Sequence, residues 1–129
     1  MKLAYETLTL GPMGNNIYFL VDQDTQDCVV IDPGFLPKTQ LEFIKNNGWN
    51  LRQIWVTHGH FDHVAGVKSL SEAYDPPVPI AMHPESFKAA KENPSGGMYG
   101  IRVDEVPRVD IPLAHGMKLG IDQIGRAHV

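Results

Sequence analysis

The sequence predicts an α+β fold, and three observations support this prediction. Three short runs of strand-forming residues, separated by turn-forming residues, occupy the first 31 positions. From residue 37 onward, segments with apolar residues at helical spacing alternate with short apolar or β-branched runs. With 129 residues, 43% of them hydrophobic, the chain can form one domain or part of one.

The first part of the chain carries the clearest strand and turn signals. Strands are predicted at Lys2–Leu10, Asn16–Val21 and Cys28–Ile31. Short polar segments join them, so we expect an antiparallel meander. A helix should begin at Pro37, whose fixed φ suits the first helical position, and should end at Gly48.

The rest of the chain is predicted to alternate strands and helices. The expected elements are a buried strand at 54–56, a helix at 64–74, a strand at 78–82, a helix at 84–91 and a pair of strands at 109–113 and 117–121. The last two strands would be joined by a turn at His115-Gly116.

Charge and composition exclude several classes of partner. A net charge of −4 without a Lys/Arg cluster offers nothing to a phosphate backbone, so nucleic acid is not an expected partner. The first ten residues alternate in polarity, unlike a signal peptide, and no run approaches the roughly 18 apolar residues of a membrane span. We therefore expect a small-molecule substrate, no membrane partner and a cytoplasmic location, and the oligomeric state stays open.

Several reactive side chains are expected to be structural. Cys28 is the only cysteine, so no internal disulfide can form, and its place at the head of an apolar run favours the core over a nucleophilic role. His83 precedes a proline at the end of a strand, and His115 lies in the expected turn. Both histidines are therefore assigned structural roles and not ligand roles.

One cluster carries the chemistry. His58, His60, Asp62 and His63 fall within six residues, directly after the buried strand at 54–56. Imidazole and carboxylate are ligands that zinc and iron accept, whereas magnesium and calcium call for oxygen-rich sets. Structural zinc sites are usually rich in cysteine, so a site without cysteine favours catalysis.

These residues resemble the signature of a known family. Thr57–Gly66 looks like the T-H-x-H-x-D-H-x-x-G motif of metallo-β-lactamase-fold hydrolases, and Gly14–Tyr18 with Val29–Gly34 resembles the opening of glyoxalase II-like members. The resemblance covers about Met1–Ile124. It implies a four-layer αββα sandwich, of which this chain would be roughly the N-terminal half.

The resemblance also implies a role for each residue of the cluster. His58 and His60 would bind a first metal, and Asp62 and His63 a second. Asp62 would in addition orient the attacking water as a catalytic residue. Asp32 would lie beneath the site and orient ligands. Two zinc ions are expected, with iron or a mixed iron and zinc pair as the alternative.

The function implied is hydrolysis of a thioester, such as an acylglutathione, by a metal-activated hydroxide at a dinuclear site. One alternative is a mononuclear iron enzyme of the same fold, similar to persulfide dioxygenases. Another is a metal-binding fragment without catalysis. Metal identity and stoichiometry distinguish the two enzymes, and retained metal without hydrolysis of a substrate panel would indicate the non-catalytic fragment.

The sequence departs from the family pattern near its end. The family's later histidines and bridging aspartate are absent, and His128 lacks the sequence context of a ligand. We expect residues 1–124 to be the N-terminal part of the domain and residues 125–129 to be a non-native tail of a truncated chain. The complete protein would be an enzyme, and the truncated chain would be inactive.

Overall fold

The computed structural model describes residues 2–10, 15–57, 66–92, 106–114, 118–120 and 126–128. The strands are β1 Leu3–Leu10, β2 Asn15–Asp22, β3 Asp27–Ile31, β4 Asn50–Val56, β5 Ile80–Met82, β6 Ile111–Pro112, β7 Lys118–Gly120 and β8 Arg126–His128. The helices are α1 Pro37–Asn46, α2 Val67–Glu72 and α3 Pro84–Glu92. From β1 to β7, strands and helices occur in the order that the sequence predicted, whereas β8 was not predicted and lies within residues 125–129, which were expected to be a tail.

Six strands form one sheet in chain order, from β1 to β6. β1 pairs with β2, and β2 with β3, in antiparallel register, which confirms the predicted meander. From β3 onward the pairing is parallel, β3 with β4, β4 with β5 and β5 with β6. A helix lies in each parallel connection, because a parallel pair needs a crossover that returns the chain to the same end of the sheet.

One face of the sheet packs against the helices and forms the larger core. Ile44 of α1 and Leu70 of α2 are buried in it together with sheet residues such as Val30. At one end, the rings of Phe19, Phe43 and Trp49 lie with centroids 5.2 to 5.6 Å apart, a favourable spacing for tilted aromatic pairs. These contacts hold α1 against β2.

The opposite face of the sheet is also apolar. Val29, Trp55, Ala81 and Leu113 form a second buried cluster on this face. Tyr5, in the first strand of the same sheet, is 72% exposed. The sheet is therefore apolar on both faces, as expected for an inner layer of a sandwich.

Helix ends follow from local residue types. Pro37 occupies the start of α1, as predicted. Gly48 follows the end of α1 with a φ of 70°, a left-handed conformation that glycine adopts at little cost. The described helices have 10, 6 and 9 residues, and none of them is long and apolar enough to cross a membrane.

Several predicted boundaries differ from the structure, and the largest difference is at the start of β4. β4 begins at Asn50 and not at Ile54, because Asn50, Leu51 and Gln53 already pair with β3. In this half of the strand, the Arg52 guanidinium donates to the buried Asp27 carboxylate at 2.9 Å. Because this half of the strand carries polar side chains, its apolar content did not predict it. Helix α2 begins at Val67, and the predicted residues 64 and 65 lie outside the described part of the chain.

The predicted hairpin near the end of the chain was wrong. β6 pairs in parallel with β5, and β7 pairs with β8. The cause is Asp110, which donates its N–H to the carbonyl of Ile80 at 2.9 Å and accepts the Ile80 N–H on its carboxylate at 2.8 Å. These two bonds join β6 to β5. The turn proposed at His115 lies outside the described residues.

Cys28 is fully buried in the helix-side core, in agreement with its assignment to packing. Loss of hydration, assisted by the neighbouring Asp27 carboxylate, raises the pKa of the Cys28 thiol from 9.0 to about 12. The folded protein therefore holds this proton at pH values where the unfolded chain releases it. The stabilisation that the protonated Cys28 thiol gives the folded state is complete below pH 9.0 and is lost as the pH rises toward 12.

We expect Cys28 to resist thiol reagents while the protein is folded. The reactive form is the thiolate, and burial suppresses both the thiolate and access to it. At pH 8, Ellman's reagent should release no product from folded protein and one equivalent after addition of denaturant. Rapid labelling without denaturant would contradict the buried position.

Candidate metal centre

The carboxyl ends of the parallel strands meet at one edge of the sheet. Asp32 follows β3, Thr57 follows β4 and His83 follows β5, so all three residues lie at this edge. Ligands of open sheets with parallel strands usually bind beyond the carboxyl ends of the strands. The predicted ligand cluster begins at His58, one residue after Thr57, and therefore leaves the sheet at this edge.

The four predicted ligands, His58, His60, Asp62 and His63, lie outside the described residues. Elsewhere in the chain, the described ranges bring together no group of three or more His, Cys, Asp or Glu side chains that could hold a metal ion. The metal centre therefore stays a prediction that rests on residues 58–63. What the structure adds is how the segment around them is attached.

The upstream end of the ligand segment is fixed by Asp32. Its carboxylate accepts the Thr57 backbone N–H at 2.7 Å on one oxygen and the Thr57 hydroxyl on the other. The Asp32 N–H donates to the carbonyl of Trp55 at 2.8 Å. Asp32 thus acts on the residue that precedes His58. Its φ of 50° is left-handed, a conformation that aspartate tolerates better than most residues.

The downstream end is fixed by Gly66. Its N–H donates to the carbonyl of Pro33 at 3.2 Å, and a Cβ at this position would lie 2.6 Å from the carbonyl oxygen of Gly34. The backbone of Gly66 has φ −98° and ψ −2°, which any residue can adopt. Glycine is therefore required here for close approach and not for an unusual conformation.

Both ends of residues 58–65 are consequently attached to one short loop, Asp32–Leu36. This loop connects β3 to α1 and contributes a carboxylate for Thr57 and a carbonyl for Gly66. Thr57 and Gly66, the first and last residues of the sequence motif, thus have structural roles that the sequence did not reveal. Neither was identified in advance as an anchor.

His83 has a different role from the predicted ligands. Its Nδ1 accepts the backbone N–H of Glu85 at 3.1 Å, and its carbonyl accepts the N–H of Phe87 at 3.1 Å. The side chain therefore caps the start of α3, in agreement with the structural role expected from the sequence. His115 lies outside the described residues.

A sheet with parallel strands, helices on one face and a histidine-rich segment leaving its carboxyl edge defines a candidate metalloprotein of the α+β class. The family model of the metallo-beta-lactamase superfamily matches residues 10–126, nearly the whole chain. The chain belongs to this superfamily. The predicted family and fold are confirmed.

Individual relatives agree with this assignment. The probable metallo-hydrolase YqgX of Bacillus subtilis is 32% identical over 81% of this chain and 49% of its own length. The hydroxyacylglutathione hydrolase of Pseudomonas fluorescens is 46% identical over 46% of this chain and 23% of its own length. The chain spans about half the length of YqgX, and the matched part spans 23% of the hydroxyacylglutathione hydrolase.

Solved structures are similar in fold. TTHA1623, crystallised in a di-iron-bound form, is 32% identical with a TM-score of 0.76 over 88% of this chain and 56% of that chain. The BLEG-1 B3 metallo-beta-lactamase has a TM-score of 0.77 at 24% identity, over 92% of this chain and 56% of that chain. The second similarity supports the fold alone.

Gly66→Ala should destabilise the protein because the new methyl group would lie 2.6 Å from the carbonyl oxygen of Gly34, so that part of the backbone must shift. We expect a loss of about 1–3 kcal/mol in the free energy of unfolding, measured by urea denaturation of metal-free protein. Ser69→Ala, at an exposed position of the same helix, is the control and should change stability by less than about 0.5 kcal/mol. Equal stability of Gly66→Ala and wild type would show that the loop separates from α2 without cost.

Proposed function

We propose that the complete protein is a metal-dependent hydrolase that cleaves thioesters, such as acylglutathiones, at a dinuclear centre. The observation that carries the proposal is the attachment of residues 58–65 at both ends to the Asp32–Leu36 loop. Catalytic ligands must be held in one geometry, and a segment fixed at both ends beyond a buried strand suits that requirement.

The donor set fits a transition metal. Three imidazoles and one carboxylate are available within six residues, and no cysteine lies among them. In the proposal, His58 and His60 hold one ion, and Asp62 and His63 hold the other. Bound zinc or iron would supply Lewis acidity, which activates water near neutral pH and polarises a carbonyl group.

The protein's own residues would have separate tasks. Asp62 would accept a hydrogen bond from the attacking water and so orient it toward the carbonyl carbon, as a catalytic residue. Asp32 keeps Thr57 in place, and Gly66 lets the chain return close to the loop. Asp62 would thus act in the reaction itself, whereas Asp32 and Gly66 hold the two ends of the ligand segment.

Support for the substrate class comes from relatives. YqgX is named a metallo-hydrolase, and several hydroxyacylglutathione hydrolases match shorter parts of the chain at 30–46% identity. Since the chain spans about half of YqgX, we propose that the remaining ligands lie in the part of the complete protein that it does not cover. The 129-residue chain alone would then bind metal weakly and would not turn over substrate.

His60→Ala in the complete protein should remove metal from the first site and abolish hydrolysis, because one imidazole ligand is lost. Metal content by mass spectrometry and thioester hydrolysis measure the two effects. His83→Ala is the matched control, since His83 lies at the same sheet edge but caps α3. It should keep its metal and activity and lose about 0.5–2 kcal/mol of stability. Unchanged metal content in His60→Ala would reject the ligand assignment.

The reaction class is tested by metal stoichiometry together with a substrate panel. Two ions per chain and hydrolysis of acylglutathione, with slower cleavage of lactones and phosphoesters, are expected. One iron per chain with oxygen consumption would identify the mononuclear dioxygenase instead. Bound metal without turnover of any substrate would favour a non-catalytic metal-binding protein.

A further inference from the structure

We infer that Gln40 of α1 is a positioning residue for the metal-ligand segment and acts through the Asp32–Leu36 loop. The inference rests on the proposed function for its connection to metal, but the contacts of Gln40 stand independently of it. Gln40 has no role in the proposed mechanism, and its side chain is fully buried at the base of this loop.

The Gln40 side chain holds the loop directly. Its Nε2 donates to the carbonyl of Phe35 at 2.9 Å, and its backbone N–H donates to the carbonyl of Leu36 at 3.2 Å. One residue thus satisfies two successive carbonyls at the point where the loop enters α1. The Leu36 side chain is 52% exposed and makes no capping bond, so it gives the loop little support of its own.

The same amide lies against the downstream anchor. A Cβ built at Gly66 would lie 3.5 Å from Gln40 Nε2, an ordinary contact distance. Gln40 therefore packs under both the loop and the first residue of the α2 region. Through Pro33 and Asp32, the loop in turn holds Gly66 and Thr57, the two residues that flank the ligand segment.

The loop needs this support because its conformation is costly. Asp32 and Leu36 have φ values of 50° and 59°, both left-handed. Such residues cost of order 1–3 kcal/mol each and persist only where the surroundings enforce them. Without the bond to Phe35, the loop can relax at Leu36, and its acceptors for Thr57 and Gly66 then move.

Gln40 is a poor choice for core stability alone. Its Oε1 is buried and has no hydrogen-bond partner within the described ranges. An apolar side chain of the same size would bury no such acceptor, but it would take away the donor that Gln40 provides to the Phe35 carbonyl. The benefit of the amide therefore lies in the carbonyl that it holds.

Gln40→Met in the complete protein tests this inference, because methionine keeps the length of the side chain but cannot donate to Phe35. Ser71→Ala is the matched control. Ser71 is also buried and donates to the carbonyl of Val78 at 2.7 Å, but this bond holds the residues that precede β5 and not the Asp32–Leu36 loop. The readouts are hydrogen exchange of the Thr57 and Gly66 amides in metal-free protein and the dissociation constant for zinc.

We expect Gln40→Met to speed exchange at both amides about tenfold, whereas Ser71→Ala leaves both unchanged. The dissociation constant for zinc should rise about tenfold or more in Gln40→Met only. Unchanged exchange at Thr57 and Gly66 would overturn the inference, and so would faster exchange with unaltered zinc affinity. If Gln40→Met does not fold, Gln40→Asn, which keeps an amide but is one methylene shorter, serves in its place.

The two proposals fail in distinguishable ways. If the wild-type protein binds no zinc or iron, the proposed metalloenzyme function is wrong. Amide exchange of metal-free Gln40→Met then decides whether Gln40 controls the loop. If wild-type protein binds metal and hydrolyses thioesters while Gln40→Met matches it in exchange and affinity, only the role of Gln40 is wrong.

Discussion

The hydrogen bonds between Asp32 and Thr57 are the contact on which the rest of the candidate site depends. They join the carboxyl ends of β3 and β4, which run in parallel, so both strands deliver their following residues to the same edge of the sheet. If β3 and β4 were antiparallel, Asp32 and His58 would leave from opposite ends. The parallel direction of β3 and β4 therefore places Asp32 and Thr57 at the same edge of the sheet. Helix α1 makes this direction possible because it forms the crossover between the two strands.

The core and the site make separate contributions. Buried side chains such as Val30, Ile54 and Ile80 pack together along three adjacent parallel strands. The polar bonds of Asp32, at the end of β3, and of Gly66, at the start of α2, hold the two residues that flank residues 58–65. A change in the core is therefore expected to alter stability, whereas a change in the bonds between Asp32 and Thr57 is expected to alter the candidate site.

Sequence reasoning located most of this architecture but not its connections. The meander and helix α1 carry strong local signals, namely apolar strands, Pro37 and Gly48, and were predicted correctly. The parallel pairing of β3 with β4 was not anticipated, because pairing direction depends on contacts between residues far apart in sequence. The same limitation explains the wrong hairpin, in which the long-range bonds of Asp110 prevailed. For the site, the motif identified the candidate ligands, but Gln40 has no motif and emerges only from its contacts.

The double attachment of residues 58–65 has a further consequence in terms of loop closure. The entropy of bringing the two ends of this segment together is spent when the sheet and α2 fold, before any ion arrives. In the proposed centre, this attachment would give each histidine a high effective concentration at the ion, as in a chelate. An ion that loses one ligand meets the same ligand again before it diffuses away. Metal exchange in such a centre would therefore be slow compared with exchange from a free peptide of the same sequence.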